Sequence, residues 1–307
     1  MGSHSSELTV THIDSYFAHI GLPARFQRDQ HPSLDAIFLS AIQAHHLCRI
    51  PYENVALHYS RAPSISLDVK DIYRKFIEKG RGGYCMENNI FLFHVLRVLG
   101  FQVYLTGARL YRDASSPTPG WSGWEHAVNI VTLENGAKYV VDVGYGGDGP
   151  TVPLPLTAEV VSQNIGTQEL RLLYGSVPGL SDNQKDLWTY QFRNGADQTW
   201  KPAYAFSEFE FFQRDFEVMS FYTSQSPSCF LTSHFLAIRF LRKGEEVYGK
   251  MILDQDKLKE NLGGKSVLVA KLQHENERVR ALHDHFDIDL TEDEKSAIAG
   301  KKSALLC

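Results

Sequence analysis

Apolar residues recur at three-to-four spacing through residues 8 to 100, and from about Phe101 the spacing changes to two. That change of period predicts helices first and strands afterwards. In DAIFLSAIQAHHL the residues Ile37, Phe38, Ala41 and Ile42 fall on one helical face, and DIYRKFIEKG ends at a helix-stopping Gly80. After RGGYC, the run IFLFHVLRVLG is apolar nearly all round and closes at Gly100, which predicts a buried helix. The runs FQVYLTGARLY, HAVNIVTL and AKYVVDVG are β-branched and aromatic, and Asn, Gly and Pro separate them, so the middle third reads as a sheet or barrel. Between the first two of these runs lies DASSPTPGWSGW (113–124), too long for a minimal connection and read as a functional loop carrying Trp121 and Trp124. Residues 157–200 are mixed and polar and read as an irregular insertion. The last part predicts strands in FLAIRFL and VYGKMIL, then helices near ENERVRALHDHF and TEDEKSAI, with Thr291 and Glu294 as a capping box.

Composition narrows the class. A chain of 307 residues is long enough for two or three packed units, and 43% hydrophobic with 22% charged residues is ordinary globular composition. A net charge of -5 argues against a nucleic-acid or membrane-surface partner, because neither meets a large basic field. Cys48, Cys85, Cys229 and Cys307 contain no CxxC pair, which fits free thiols in a reducing compartment. The first residues have no basic region followed by an apolar one, and no uncharged apolar stretch reaches the ~18 residues of a span, so a cytoplasmic location is expected. The match of MGSHSS to a myristoylation pattern is too short to weigh. His45, His46 and Cys48, like His283 and His285, lack a second ligand pair at zinc spacing, so no metal is expected. No Walker loop or GxGxxG follows a strand.

The remaining chemistry converges on Cys85. It follows a Gly-Gly turn at the start of a buried helix, where unpaired N–H groups and the dipole favour a thiolate. A helix terminus contributes only ~0.3 to 1 kcal/mol, less than one pKa unit, whereas an activated thiol needs two or more, so a cationic neighbour is required. His126 opens HAVNIVTL, and Asp142 lies near the end of the next strand. A two-residue Asn135-Gly136 hairpin would pair positions whose numbers sum to 271 and put His126 and Asp142 on opposite faces. A three-residue loop, Glu134 to Gly136 with Gly136 left-handed, gives pairs summing to 270; Asp142 then faces Val128, and His126 is its same-face diagonal neighbour. The bulged turn is therefore expected. Taken singly, Cys85 reads as a small buried hydrophobe, His126 as a satisfied strand-end residue and Asp142 as a turn former. Together they make a Cys-His-Asp set in which a carboxylate holds the base.

The segments IPYENV, RGGYCMENN, GFQVYLTGARLY, EHAVNIV, VVDVGYGG and FYTSQSPSCF, in this order, resemble the arylamine N-acetyltransferases over about residues 50–230, as in a eukaryotic, fungal member. The resemblance implies an α+β fold: an N-terminal helical bundle (1–105) with the nucleophilic Cys, a central β-barrel (106–220) with His and Asp, and a C-terminal α/β lid (221–307), around a papain- or transglutaminase-like core. It implies a ping-pong transfer through a cysteine thioester, from acetyl-CoA or another short acyl-CoA to an arylamine, arylhydrazine or similar aromatic amine. Catalytic roles fall on Cys85, His126 and Asp142, and CoA contacts on Gly107, Ala108, Tyr222, Ser226 and Ser228. Tyr52, Trp121 and Trp124 are the candidate aromatic wall for the acceptor. Family members can also use propionyl or malonyl donors; a malonyl carboxylate would call for an inward-facing cation, such as Arg109 or Arg112. A Cys-His-Asp set is also compatible with a thiol hydrolase or transglutaminase-like enzyme, and the fold with a non-catalytic acyl-CoA-binding protein.

Overall fold

Local caps set where the first helices begin. In the computed structural model, which describes residues 8–116, 118–181 and 186–305, Thr9 caps Val10–Ile20, and the Asp35 carboxylate accepts from the Ile37 and Phe38 N–H groups at the head of Ala36–Arg49. Cys307 and the MGSHSS stretch lie outside the described residues. Ile37 does not belong to the buried face expected for it: it is 67% exposed, because it sits in the first turn on the outer side, while Phe38, Leu39 and Ile42 face inward. The helix Cys85–Leu99 is held at its start by the Tyr84 N–H donating to Glu87 Oε2 (3.2 Å) and stops at Gly100, whose φ is 100°. Between these helices the chain makes the short strand β1 (Tyr52–Glu53).

Eight strands follow: β2 (Gln102–Arg112), β3 (Gly120–Thr132), β4 (Lys138–Val141), β5 (Leu154–Pro155), β6 (Ser162–Gln163), β7 (Glu169–Ser176), β8 (Asp186–Arg193) and β9 (Lys201–Phe206). They form one antiparallel sheet in the order β5-β4-β3-β2-β9-β8-β7-β6, curled into a near-closed barrel. Residues 157–200 are thus not an irregular insertion. β7 and β8 are full barrel strands whose inward residues are Leu170, Leu172 and Tyr190, and the polar residues that suggested an insertion are their outward faces. Trp121 and Trp124 likewise lie within β3 rather than in a loop, and His126 lies in mid-strand. The extension pairs with the far half of β2 across two register shifts, at Ala108/Arg109 and Arg109/Tyr111, which hide the alternation from a reading of one strand.

The remaining strands, β10 (Leu236–Lys243), β11 (Glu246–Asp254), β12 (Lys257–Asn261) and β13 (Ser266–Lys271), form a second sheet in which β1 pairs with β10. The helices Glu275–Phe286 and Glu292–Ala297 come last, and Leu282 and Phe286 pack on Leu253 and Phe235 of this unit. Strand β3 carries the site because its two faces serve different cores. Val128 and Ile130 point into the barrel, whereas Ala127 and Val131 join Leu105 against the helix Cys85–Leu99.

Candidate active site

Cys85 is the first residue of its helix and is buried. Its Sγ–H donates to the Glu125 carbonyl, 3.6 Å away, so the thiol lies against the residue that precedes His126. Close packing extends to the other strand end: a β-carbon on Gly144 would stand 2.7 Å from the Cys85 Cα, so only glycine allows this approach. Burial pushes the thiol well up from its ordinary value, the Asp142 charge adds to this, and the Met86 N–H works in the other direction. The helix terminus therefore does not produce a resting thiolate.

The hairpin after His126 has the bulged turn. Gly136 N–H donates to the Leu133 carbonyl (2.9 Å), Leu133 N–H to the Ala137 carbonyl (2.9 Å), and Gly136 has φ 81°. The ladder pairs Thr132 with Lys138 and Asn129 with Val141, the register in which pair numbers sum to 270. Asp142 follows directly, and its Oδ2 accepts from His126 Nε2 at 2.7 Å; both side chains are buried. Its Oδ1 accepts from Asn89 Nδ2 (2.9 Å) and the Gly144 N–H (2.8 Å). Burial pushes the Asp142 carboxyl up, but His126, Asn89 and the Gly144 N–H outweigh it and hold the group below its ordinary value. An ionised Asp142 can only accept, so the network places the imidazole proton on Nε2 and leaves Nδ1 as the basic nitrogen.

The sequence and the fold have counterparts among known proteins. A family model described as N-acetyltransferase matches residues 35–295. The chain is 35% identical to N-malonyltransferase FDB2 of Gibberella moniliformis over 323 aligned residues, which cover 96% of this chain and 93% of that one. It is 33% identical to the arylamine N-acetyltransferase of Escherichia coli over 215 residues, covering 70% and 69% of the two chains. The structure of Mycobacterium marinum arylamine N-acetyltransferase in complex with CoA shares its fold, with a TM-score of 0.78 at 24% identity over 95% of this chain and 100% of that one. The chain belongs to the arylamine N-acetyltransferase family. It is accordingly an acyl-CoA-dependent acyltransferase.

The other residues singled out in this family member are spread apart. Ala108 pairs with His126 across the β2–β3 ladder and lines the barrel core, while the Phe211 ring stands 2.5 Å from where a Gly107 β-carbon would be. Tyr222, Ser226 and Ser228 form one exposed hydroxyl cluster, with Ser226 Oγ and Ser228 Oγ 2.8 Å apart and Tyr222 Oη 3.4 Å from Ser228 Oγ. Tyr52 lies beside Gly146 next to the nucleophile, and burial pushes its phenol well up. Trp124 is sandwiched between Arg109 (4.2 Å to the ring centre) and Phe211 (5.4 Å). Trp121 packs edge-on to Tyr111 (5.1 Å) at the outer end of the hairpin and is not brought to the His126–Asp142 pair. His46 and His45 are buried among protein partners, and no group of three His, Cys, Asp or Glu among the described residues could hold a metal.

Sequence reasoning missed Asn89. One helical turn after Cys85, it donates to Ala127 O (2.6 Å) as well as to Asp142, and its Oδ1 accepts from the Val143 N–H (3.0 Å). Its only signal is an amide at i+4 from the nucleophile, and Glu87 and Asn88, polar and buried beside it, blur that signal. Also missed are Tyr145 and Tyr204, whose rings lie 5.7 and 5.1 Å from the His126 ring. Glu125, whose carbonyl accepts from the thiol, carries its carboxylate on to Arg112.

Proposed function

We propose that Cys85, His126 and Asp142 are the catalytic triad of an N-acyltransferase that carries a short acyl group from acyl-CoA to an aromatic amine through a Cys85 thioester. The observation that carries this reading is a buried thiol hydrogen-bonded to the residue before an imidazole that a buried carboxylate orients. The thiol starts neutral, so the proton leaves as the new bond forms. Cys85 Sγ attacks the thioester carbonyl while His126 Nδ1 takes the thiol proton, and Asp142 stabilises the imidazolium. The CoA sulfur leaves and recovers that proton. The amine then attacks the Cys85 thioester, His126 takes an N–H proton and returns it to the Cys85 sulfur, and the amide departs. The net products are an amide and free CoA. The Tyr222–Ser226–Ser228 hydroxyls offer donors to CoA without a basic run, in keeping with the acidic chain.

For the donor, malonyl-CoA has the better support. The relative that matches 96% of this chain is named an N-malonyltransferase, whereas the acetyltransferase of Escherichia coli matches 70%. Incubation with malonyl-CoA or acetyl-CoA, with and without p-anisidine, tests both points by the release of free CoA. Release should need the amine, favour malonyl-CoA and vanish in Cys85→Ala. Full-rate release without amine would instead make the protein a hydrolase, and binding of either donor with no release of CoA, with or without amine, would favour a non-catalytic acyl-CoA binder.

A further inference from the structure

Beside the nucleophile stands an ion pair that the triad does not use. The Glu125 carbonyl accepts from the Cys85 thiol, and the Glu125 carboxylate is in direct contact with the Arg112 guanidinium. Glu125 is the extra residue where β3 shifts register against β2, since Ala108 pairs with His126 and Arg109 with Trp124. The bulge turns one residue toward the thiol with its carbonyl and toward Arg112 with its carboxylate. The Glu125 side chain is 6% exposed and that of Arg112 is 23% exposed, so the guanidinium keeps an open edge while Glu125 is shut in. Arg112 Nη1 also donates to Thr118 Oγ1 (3.2 Å), which fixes the plane of the fork from a second side.

Stability gives this pair little reason to exist, because two charges withdrawn from water gain little over well-packed apolar residues. Neighbouring cations are committed differently. Arg109 is stacked on Trp124 and donates to Ser122 O, Lys75 and Arg81 pair with Glu53, Glu87 and Glu294, and Lys250 is bound to Gly147 O and Asp148. Arg112 alone among these shares its partner with the thiol.

We infer that Arg112, oriented by Glu125, receives the free carboxylate of a malonyl group and so selects the donor. The inference rests on the malonyl reading above. In a malonyl thioester the carboxylate lies one methylene beyond the carbonyl that Cys85 attacks, and its two oxygens match the paired N–H groups of a guanidinium. An acetyl group ends in a methyl and brings no carboxylate to the open edge of the guanidinium. Glu125 then acts as a positioning residue: its carbonyl meets the thiol, its carboxylate holds the fork, and it does not touch the acyl group.

The test is steady-state kinetics with p-anisidine and either donor, on the unaltered protein, Arg112→Gln, Arg112→Lys and the double variant Arg112→Gln/Glu125→Gln. The double variant removes both charges and leaves no unpaired buried carboxylate, so it reports even if Arg112→Gln alone folds poorly. Loss of a charge-assisted pair should lower the malonyl-to-acetyl ratio of kcat/KM by about 30- to 100-fold in Arg112→Gln and in the double variant, chiefly through KM for malonyl-CoA. Arg112→Lys, which keeps a point charge without the fork, should fall between. An equal fall with both donors, or an unchanged ratio, overturns the role of Arg112 while leaving the malonyl reading intact. An unaltered protein that turns over acetyl-CoA but not malonyl-CoA overturns the malonyl reading itself, and with it this inference.

Discussion

A neutral thiol buried at a helix start can react only if something nearby takes its proton as the bond forms, so the burden shifts to which nitrogen of His126 is free. Asp142 decides that by accepting from Nε2. In Asp142→Asn the side-chain oxygen can still accept from Asn89 and the Gly144 N–H, but an amide NH2 then faces His126. Nε2 must become the acceptor, Nδ1 carries the proton, and the base is lost without loss of shape. The expected result is a fall in kcat/KM on the order of 10³- to 10⁴-fold, the scale found for triad carboxylates, with the melting temperature little changed. Steady-state kinetics with p-anisidine beside a thermal melt measures both, and a fall under tenfold would mean that Asp142 does not set the tautomer. Asn89 has no reactive role in this scheme; it ties Asp142 to the helix that carries the nucleophile.

At the scale of elements, the pairing of His126 with Asp142 depends on one turn. Gly136 sits at φ 81°, where a β-carbon costs about 1 to 2 kcal/mol, so Gly136→Ala should lower the urea midpoint by that equivalent and leave the site formed. Deleting Ala137 is a sharper change. With the three-residue turn kept, Leu133 closes on Lys138, the strand moves by one position and Asp142 turns to the opposite face, so acyl transfer should vanish while circular dichroism still reports a folded chain. Retained activity in that deletion would show that bulges elsewhere restore the register. The turn was legible in the sequence because loop length alone fixes the parity of a hairpin, and both candidate loops could be written out residue by residue. β7 and β8 were not legible: their outward residues are polar, and their inward ones, Leu170, Leu172 and Tyr190, acquire meaning only once a barrel closes around them. The true start of β3 was hidden for a related reason, since its register shifts depend on what β2 offers opposite. Asn89 was out of reach because its partners lie 38 and 53 positions away.

Across the whole molecule, buried neutral histidines join parts that are distant in sequence, and this gives the fold a direction of response to acid. His46 accepts from the Tyr16 hydroxyl at Nδ1 (3.0 Å) and donates from Nε2 to Asn88 Oδ1 (3.2 Å), linking the first helix to the one that carries Cys85. His58 joins Ser303 Oγ (2.6 Å) to the Leu231 carbonyl (3.0 Å), tying the C-terminal segment to the chain before β10. In the His46 network both ring nitrogens are already satisfied in the neutral form, and a second proton would face a hydroxyl that is donating. Burial pushes both rings down from the ordinary 6.5 to about 4. The sign follows from proton counts. Between about pH 6.5 and about 4 the unfolded chain holds a proton on His46 that the folded chain refuses, so stability is present above the unfolded value and is lost as pH falls through this window. A shift of this size corresponds to at most about 3 kcal/mol from His46. Urea unfolding at a series of pH values should therefore show a midpoint falling steadily below pH 6.5. His46→Gln keeps an amide in reach of Tyr16 and Asn88 and has nothing to titrate; it should be less stable at pH 7 but flatter below 6.5, taking up about one proton fewer on unfolding near pH 5. If the two proteins lose stability in parallel, the acid response comes from the carboxylates and His46 carries none of it.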